Sequence, residues 1–160
     1  MHKITPFLWF DGQADEAAKF YASVFKNAKV GKPVHGPDGK VLVMPFEIEG
    51  QEFTALNGGP QFKFNESVSF VVHCKDQGEV DYYWDKLTSG GGKESMCGWL
   101  KDKFGLSWQI IPTALGECLG GDDRAAAQRA MQAMLRMKKI NIAKLKRAYA
   151  GQATDVEPDA

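Results

Sequence analysis

The chain has 160 residues, 44% of them apolar and 11% aromatic, which is enough to fill one compact core and excludes a disordered chain. Twenty Lys and Arg balance twenty Asp and Glu, so there is no overall basic field for a nucleic-acid backbone and no acidic excess for a basic partner. No apolar run approaches the ~18 residues of a membrane span, no signal-like segment precedes Ile4, and Cys74, Cys97 and Cys118 lack C-x-x-C spacing; neither a disulfide framework nor a zinc knuckle is expected, and reduced thiols in the cytoplasm are.

Residues 4–10 are apolar and aromatic and read as a strand, with Pro6 near its start or edge. Beyond Asp11-Gly12, the residues Ala14, Ala17, Ala18, Tyr21, Val24 and Phe25 recur at helical spacing and mark one buried face. Residues 30–34 and 41–48 then read as strands around the turn Gly36-Pro37-Asp38-Gly39, and residues 51–56 follow Glu49-Gly50 as another. This is one β-α-β-β-β unit.

A turn-rich loop over residues 57–65 leads to a second apolar strand, 68–74, and to a helix burying Val80, Tyr83, Trp84 and Leu87. Gly90-Gly91-Gly92 stops that helix. Short strands at 93–96 and 98–101, a turn at 102–105 and a last strand at 106–111 complete the same element order. A gapless shift of 63 pairs Phe7 with Phe70, Glu16 with Glu79, Phe20 with Tyr83, Tyr21 with Trp84 and Val24 with Leu87; a shift of 55 pairs Phe53 with Trp108 and Thr54 with Gln109. The expected class is therefore α+β: two tandem βαβββ units, 3–58 and 67–112, forming an open curved mixed sheet with a cleft in a domain of residues 1–112.

Residues 113–151 are expected as a helical extension of that domain. Asp122-Asp123 can cap a helix with Ala127, Met131, Met134 and Leu135 on one face, and Asn141 can cap another carrying Ile142, Leu145 and Tyr149 before Gly151. Met residues in such a stripe fill core gaps, and in a dimer they could equally pack on the partner. Residues 152–160 read as a polar, disordered tail.

Several segments together resemble one known family. They are Ile4-Thr5-Pro6-Phe7-Leu8-Trp9-Phe10, Ala17-Ala18-Lys19-Phe20-Tyr21, Phe53-Thr54-Ala55-Leu56-Asn57-Gly58-Gly59-Pro60, Ser69-Phe70-Val71-Val72 and the run from Cys97 to Gln109, with Ala130-Met131-Gln132-Ala133-Met134 and Arg147-Ala148-Tyr149 in the tail. In combination they resemble the PhnB-like family, labelled 3-demethylubiquinone methyltransferase-like, within the vicinal-oxygen-chelate (glyoxalase/bleomycin-resistance) superfamily. The resemblance implies strands curled around a ligand cleft and a homodimer. It also implies four metal positions in metal-dependent members, which carry over near Pro6, Thr54, Ser69 and Gln109. Of these only Gln109 is a plausible ligand, so no metal is expected.

Strand alternation places Ser107, Gln109 and Ile111 on one side of the last strand and Trp108 and Ile110 on the other, toward the helices. By the same parity Phe7, Trp9, Phe70 and Val72 are expected under the helices. Leu8, Phe10, Thr54, Ser69 and Val71 are then expected to line the cleft with Gln109, with Trp99 as an aromatic cover. Gln109 and Ser69 serve a ligand in this reading, and satisfy buried backbone groups in the alternative. His73, alone at a strand end but sharing parity with Ser69 and Val71, is a candidate acid or base, and Cys97 is a candidate nucleophile, although no neighbouring cation or histidine in sequence would activate its thiol. Lys101-Asp102-Lys103 reads as a solvated turn rather than an anion clamp.

The pattern points to a small-molecule-binding protein, metal-free and without a cofactor, that has no nucleic-acid or membrane partner. The alternatives are an enzyme of isomerase, lyase or dioxygenase type, using a recruited metal or His73 as base, and an interaction protein with a vestigial cleft. A methyltransferase, as the family label has it, lacks support: Gly90-Gly91-Gly92 follows a helix, whereas a nucleotide-like methyl donor calls for a glycine-rich loop between a strand and a helix.

Overall fold

The computed structural model describes residues 2–152, which fall into two compact units, Met1–Phe64 and Asn65–Ala160. The expected disordered tail lies, beyond Gln152, outside the described residues.

The first unit runs β1 (Phe7–Phe10), α1 (Ala14–Val24), β2 (Ala28–Val30), β3 (Val34–His35), β4 (Val41–Ile48) and β5 (Gln51–Asn57). Its sheet has the order β1-β5-β4-β2, with β3 also on β4; β1 runs parallel to β5 and the other pairs are antiparallel. The strand expected over 30–34 is two short ones. Gly31 sits so close to Pro45 that an added Cβ would lie 2.8 Å from its ring, and Pro33 has no amide hydrogen for a ladder. Between β4 and β5, Glu49 and Gly50 both have positive φ, as a two-residue type I′ hairpin demands.

Helix α1 buries Ala14, Ala17, Ala18, Tyr21 and Val24, the expected face. Tyr21 stacks on Phe46, and Phe46 on Phe53, with ring centroids 5.7 and 5.2 Å apart, so the Phe46 and Phe53 side of the sheet is the helix side. Gln13 gives α1 no side-chain cap. The cap comes instead from the end of β5, where Asn57 Oδ1 accepts the Ala14 N–H at 2.8 Å and Asn57 Nδ2 donates to the Val41 carbonyl at 3.0 Å.

The second unit repeats the order with β6 (Ser69–Cys74), α2 (Gln77–Thr88), β7 (Lys93–Glu94), β8 (Trp99–Lys101) and β9 (Ser107–Pro112). The sheet order is β6-β9-β8-β7, and again only the first and last strands, β6 and β9, pair in parallel. Helix α2 carries its own cap: Asp76 Oδ1 accepts the Glu79 N–H, while Glu79 Oε1 accepts the Lys75 N–H. Its buried face is Val80, Tyr83, Trp84 and Leu87, as the spacing predicts.

The two units correspond, with one correction to the gapless repeat. Leu8 lies opposite Ala55 and Val72 lies opposite Ile110, so the first strands differ by 64 positions where the last strands differ by 55. The helices keep the shift of 63 that pairs Tyr21 with Trp84. One residue absorbed in a strand-to-helix turn leaves the helix face unchanged, but it exchanges the two sides of a strand.

Three helices complete the second unit: α3 (Thr113–Leu119), α4 (Arg124–Met134) and α5 (Ile142–Tyr149). Leu115, Cys118, Ala130, Ala133, Met137, Ile140, Leu145 and Ala148 form their common core, with Ile111 of β9 packed against it. The caps at Asp123 and Asn141 accept from Ala126 and Lys144 as expected. Helix α4 buries Ala127 of the expected face and packs Met134 against the core, but the rest of its buried side is alanine; Leu135 is exposed and Met131 half-buried. Small side chains let α4 approach α3 and α5 closely. Helix α3 has no counterpart in the sequence reading, because seven residues with a central glycine are too short to show a period. The extension is tied to the sheet within this chain. Cys97 and Gly98 donate their N–H groups to the carbonyls of Met137 and Lys138, and Gln77 bonds Ile140 O and Ile142 N.

Candidate functional site

One side of the β6-β9-β8 sheet is covered by α2: Trp108 and Ile110 are buried there, with Phe70 against the Trp108 ring at 5.7 Å. The other side carries two cross-strand rows. The first is Ser69 opposite Ser107 opposite Lys101, and the second is Val71 opposite Gln109 opposite Trp99. The rows are joined by Gln109 Nε2, which donates to Ser69 Oγ at 2.9 Å. Val71 is exposed, Trp99 and Gln109 are half-buried, and Ser107 is only 1% exposed. Among the described residues none is a hydrogen-bond partner of the buried Ser107 Oγ. Sequence reasoning placed Ser107 on this side of the strand without counting it as a site residue; its position two before Gln109 was the available signal.

On the first sheet, Thr54 faces away from α1, opposite Phe7 and Pro45. With Thr5, Phe7, Pro45, Glu47, Glu52 and Lys29 it lines an open cavity of about 480 Å3. Leu8 and Phe10, expected in the cleft, are corrections. They pair with Ala55 and Asn57, share the helix side with Phe53 and are buried. Phe7 and Trp9, expected under the helix, are on the open side instead, and Phe7 is 60% exposed. The same parity makes Thr5, not Pro6, the first-strand position on the open side.

The Asn57-Gly58-Gly59-Pro60 segment has a definite structural role beside that face. Trp9 Nε1 donates to the Gly59 carbonyl at 2.9 Å, the Trp9 ring packs edge-on against Phe62, and a Cβ on Gly58 would meet the indole at 2.3 Å. Only glycine fits under the ring.

His73 is exposed and opposite Ile111, one row beyond Gln109, or about 7 Å along the strand. Cys97 has φ 61 and sits in the turn before β8, and burial pushes its thiol pKa up, which opposes thiolate formation. The turn after β8 is not a solvated one. Asp102 is 3% exposed, and its carboxylate accepts from the backbone of Phe104 and Leu106 and from the Trp108 indole. Gly90 and Gly91 have positive φ between a helix and a strand, the reverse of the order in which a helix N-terminus meets a nucleotide.

Two βαβββ units, each with a parallel outer pair and a helix on one side, define a protein of the vicinal-oxygen-chelate, or glyoxalase-fold, superfamily. The family model described as 3-demethylubiquinone-9 3-methyltransferase matches residues 2–111, and the chain belongs to that family. The structure of a PhnB protein from Bacillus cereus, described as a putative 3-demethylubiquinone-9 3-methyltransferase, is 32% identical; the match covers 69% of this chain and 99% of that one, with a TM-score of 0.64. Protein PA1353 from Pseudomonas aeruginosa is 17% identical over 70% of this chain and 98% of its own, with a TM-score of 0.57. The fosfomycin resistance protein FosX from Listeria monocytogenes, in a complex with Mn(II) and sulfate, is 16% identical over 69% of this chain and 92% of its own, with a TM-score of 0.51. No curated protein sequence matches the chain significantly.

A metal of the kind held by that FosX structure does not fit the side chains here. The four metal positions that the resemblance implies, with Thr5 in place of Pro6, carry three hydroxyls and an amide at Thr5, Thr54, Ser69 and Gln109, whereas a divalent transition metal draws on imidazole, carboxylate or thiolate. Among the described residues no group of three or more His, Cys, Asp or Glu is placed to hold a metal ion. No helix of the described residues is long and apolar enough to cross a membrane.

Proposed function

We propose that the protein binds a small organic molecule on the open side of the β6-β9-β8 sheet, without a metal or another cofactor. The observation that carries this reading is the Gln109 to Ser69 hydrogen bond at 2.9 Å, in a row with the half-buried Trp99 ring and the exposed Val71 side chain. An aromatic and an aliphatic wall with a few fixed polar groups is how a ligand surface orients a flat organic molecule. The amide holds the Ser69 hydroxyl in place, and Trp99 and Val71 supply the apolar area. Thr54 and the cavity beside it are the corresponding open surface of the first sheet and belong to the same reading.

Three free thiols support a reducing, cytoplasmic setting, and a homodimer is part of the proposal. Sedimentation at micromolar concentration tests the latter, and a monomer overturns it.

Benzamide serves as a neutral probe of the site. In EDTA-treated protein, its addition should shift the amide NMR signals of Ser69, Val71, Trp99 and Gln109, and Gln109→Ala should weaken binding about tenfold. Stoichiometric Mn, Ni or Zn bonded to Gln109 in the purified protein overturns the metal-free reading. An absence of shifts on this face at millimolar benzamide and at millimolar benzoate overturns the binding reading.

A further inference from the structure

The row Ser69, Ser107 and Lys101 contains an unsolved balance of hydrogen bonds. A hydroxyl has one proton to donate and two acceptor positions. Ser69 Oγ accepts a hydrogen bond from Gln109 Nε2, which leaves its own hydroxyl hydrogen to donate outward. Ser107, directly opposite, is 1% exposed with no partner for its Oγ, an arrangement that costs stability unless something else uses the hydroxyl. Two hydroxyls thus stand opposite each other on neighbouring strands whose backbones are about 5 Å apart. An ammonium occupies the third place in the row.

That ammonium is engaged. Lys101 Nζ is ion-paired with Glu66 Oε1, and the pairing holds the Glu66 carboxyl below the usual carboxylate range. Lys101 ends β8, Glu66 comes three residues before β6, and β9 lies between those two strands with Ser107 as its first residue. The ion pair therefore reaches across the beginning of β9, the end at which Ser107 lies. Glu66 is exposed, so it can swing away without disturbing the core.

We propose that Ser69, Ser107 and Lys101 form a subsite for a carboxylate oxygen, that the Glu66 carboxylate occupies its cation in the empty protein, and that the ligand class is a small aromatic or aliphatic acid. The inference rests on the binding reading above and names the charge of its ligand. An incoming carboxylate takes Lys101 from Glu66, one carboxylate for another, and accepts from the two hydroxyls. Its hydrocarbon part lies toward Val71 and Trp99 in the next row. The carboxylate is distinguished from a neutral carbonyl by Lys101, since an ammonium strengthens a hydrogen bond to an ion more than to a neutral group.

Benzoate and benzamide, which share shape and differ in charge, separate this inference from the one it rests on. The experiment is a titration of the full chain with each, followed by amide NMR, on wild type, Ser107→Ala, Lys101→Met and Glu66→Gln, with circular dichroism melts to show that each variant is folded. Benzoate should bind more tightly than benzamide to wild type. Ser107→Ala and Lys101→Met should each weaken benzoate about tenfold, and Glu66→Gln should tighten it several-fold, while Lys101→Met and Glu66→Gln should change benzamide binding by a much smaller factor than benzoate binding. Benzamide binding at Trp99 and Gln109 with benzoate no tighter, or benzoate indifferent to both Ser107→Ala and Glu66→Gln, overturns the carboxylate subsite and leaves the broader reading standing. Failure of both probes to bind overturns both.

Discussion

The carboxylate of Asp102 and the indole of Trp108 meet at 2.9 Å inside the second unit, and Asp102 is the residue that turns the chain from β8 into β9. Its other oxygen accepts the N–H groups of Phe104 and Leu106 at 2.9 and 3.1 Å, so one buried anion closes the turn and fixes the strand that carries Ser107 and Gln109. Removing it strands three donors.

Asp102→Ala should therefore destabilise the protein by about 3 kcal/mol, because several buried neutral donors lose their acceptor at once. Asp102→Asn, which keeps an acceptor, should lose less. Urea unfolding monitored by tryptophan fluorescence measures both, and equal stability of Asp102→Ala and wild type would refute the role given to this contact.

The lone asparagine at the end of β5 offers a second test. Asn57→Ala removes the Ala14 cap and the bond to Val41 together and should cost about 1–2 kcal/mol, with faster amide exchange in the first turn of α1. Exchange rates in α2, which has its own cap at Asp76, should stay as they are.

Leu145 is fully buried among α3, α4 and α5. Leu145→Ala should cost about 2–5 kcal/mol, as cavity-forming core substitutions do. Because the cluster includes Ile111 of β9, the loss should appear in the single unfolding transition of the second unit. An early, separate melting of the helices would contradict this account of their packing.

Cys74 links stability to pH at the alkaline end. Burial, helped by the nearby Glu79 and Asp76 carboxylates, pushes its thiol from an ordinary 9.0 up to about 12. The folded protein holds this proton longer than the unfolded chain does, so the contribution is intact below pH 9 and falls as pH rises from there toward 12. The slope approaches about 1.4 kcal/mol per pH unit for one such proton. Comparing wild type with Cys74→Ala across pH 8–11 isolates it: the variant should show the smaller loss. The thiol should also resist alkylation at pH 8 while the protein is folded.

The faces of α1 and α2 and the hairpin at Glu49-Gly50 were legible because a 3.6-residue period and a two-residue turn are local signals. So was the side of β9 that carries Gln109, since alternation within one strand needs no partner. The side of β1 was not. Leu8 and Phe10 were assigned by comparison with Phe70, and only the pairing of Leu8 with Ala55 reveals the one-residue difference in the turn that follows. Asp102 was misread for a related reason: a charged residue between two lysines looks solvated until the fold brings Trp108 beside it, six residues on. Burial of a charge is decided by long-range packing, which composition does not encode.

The borrowed cap of α1 also sets an order of events during synthesis. As the chain leaves the ribosome, α2 can close its first turn with residues already beside it, whereas α1 must wait for residue 57, some 43 positions downstream. The amino-terminal half is thus the later of the two to complete its helix relative to its own emergence. A nascent chain from which Asn57 has yet to emerge would present an uncapped helix to chaperones, and one with β5 emerged and paired would not.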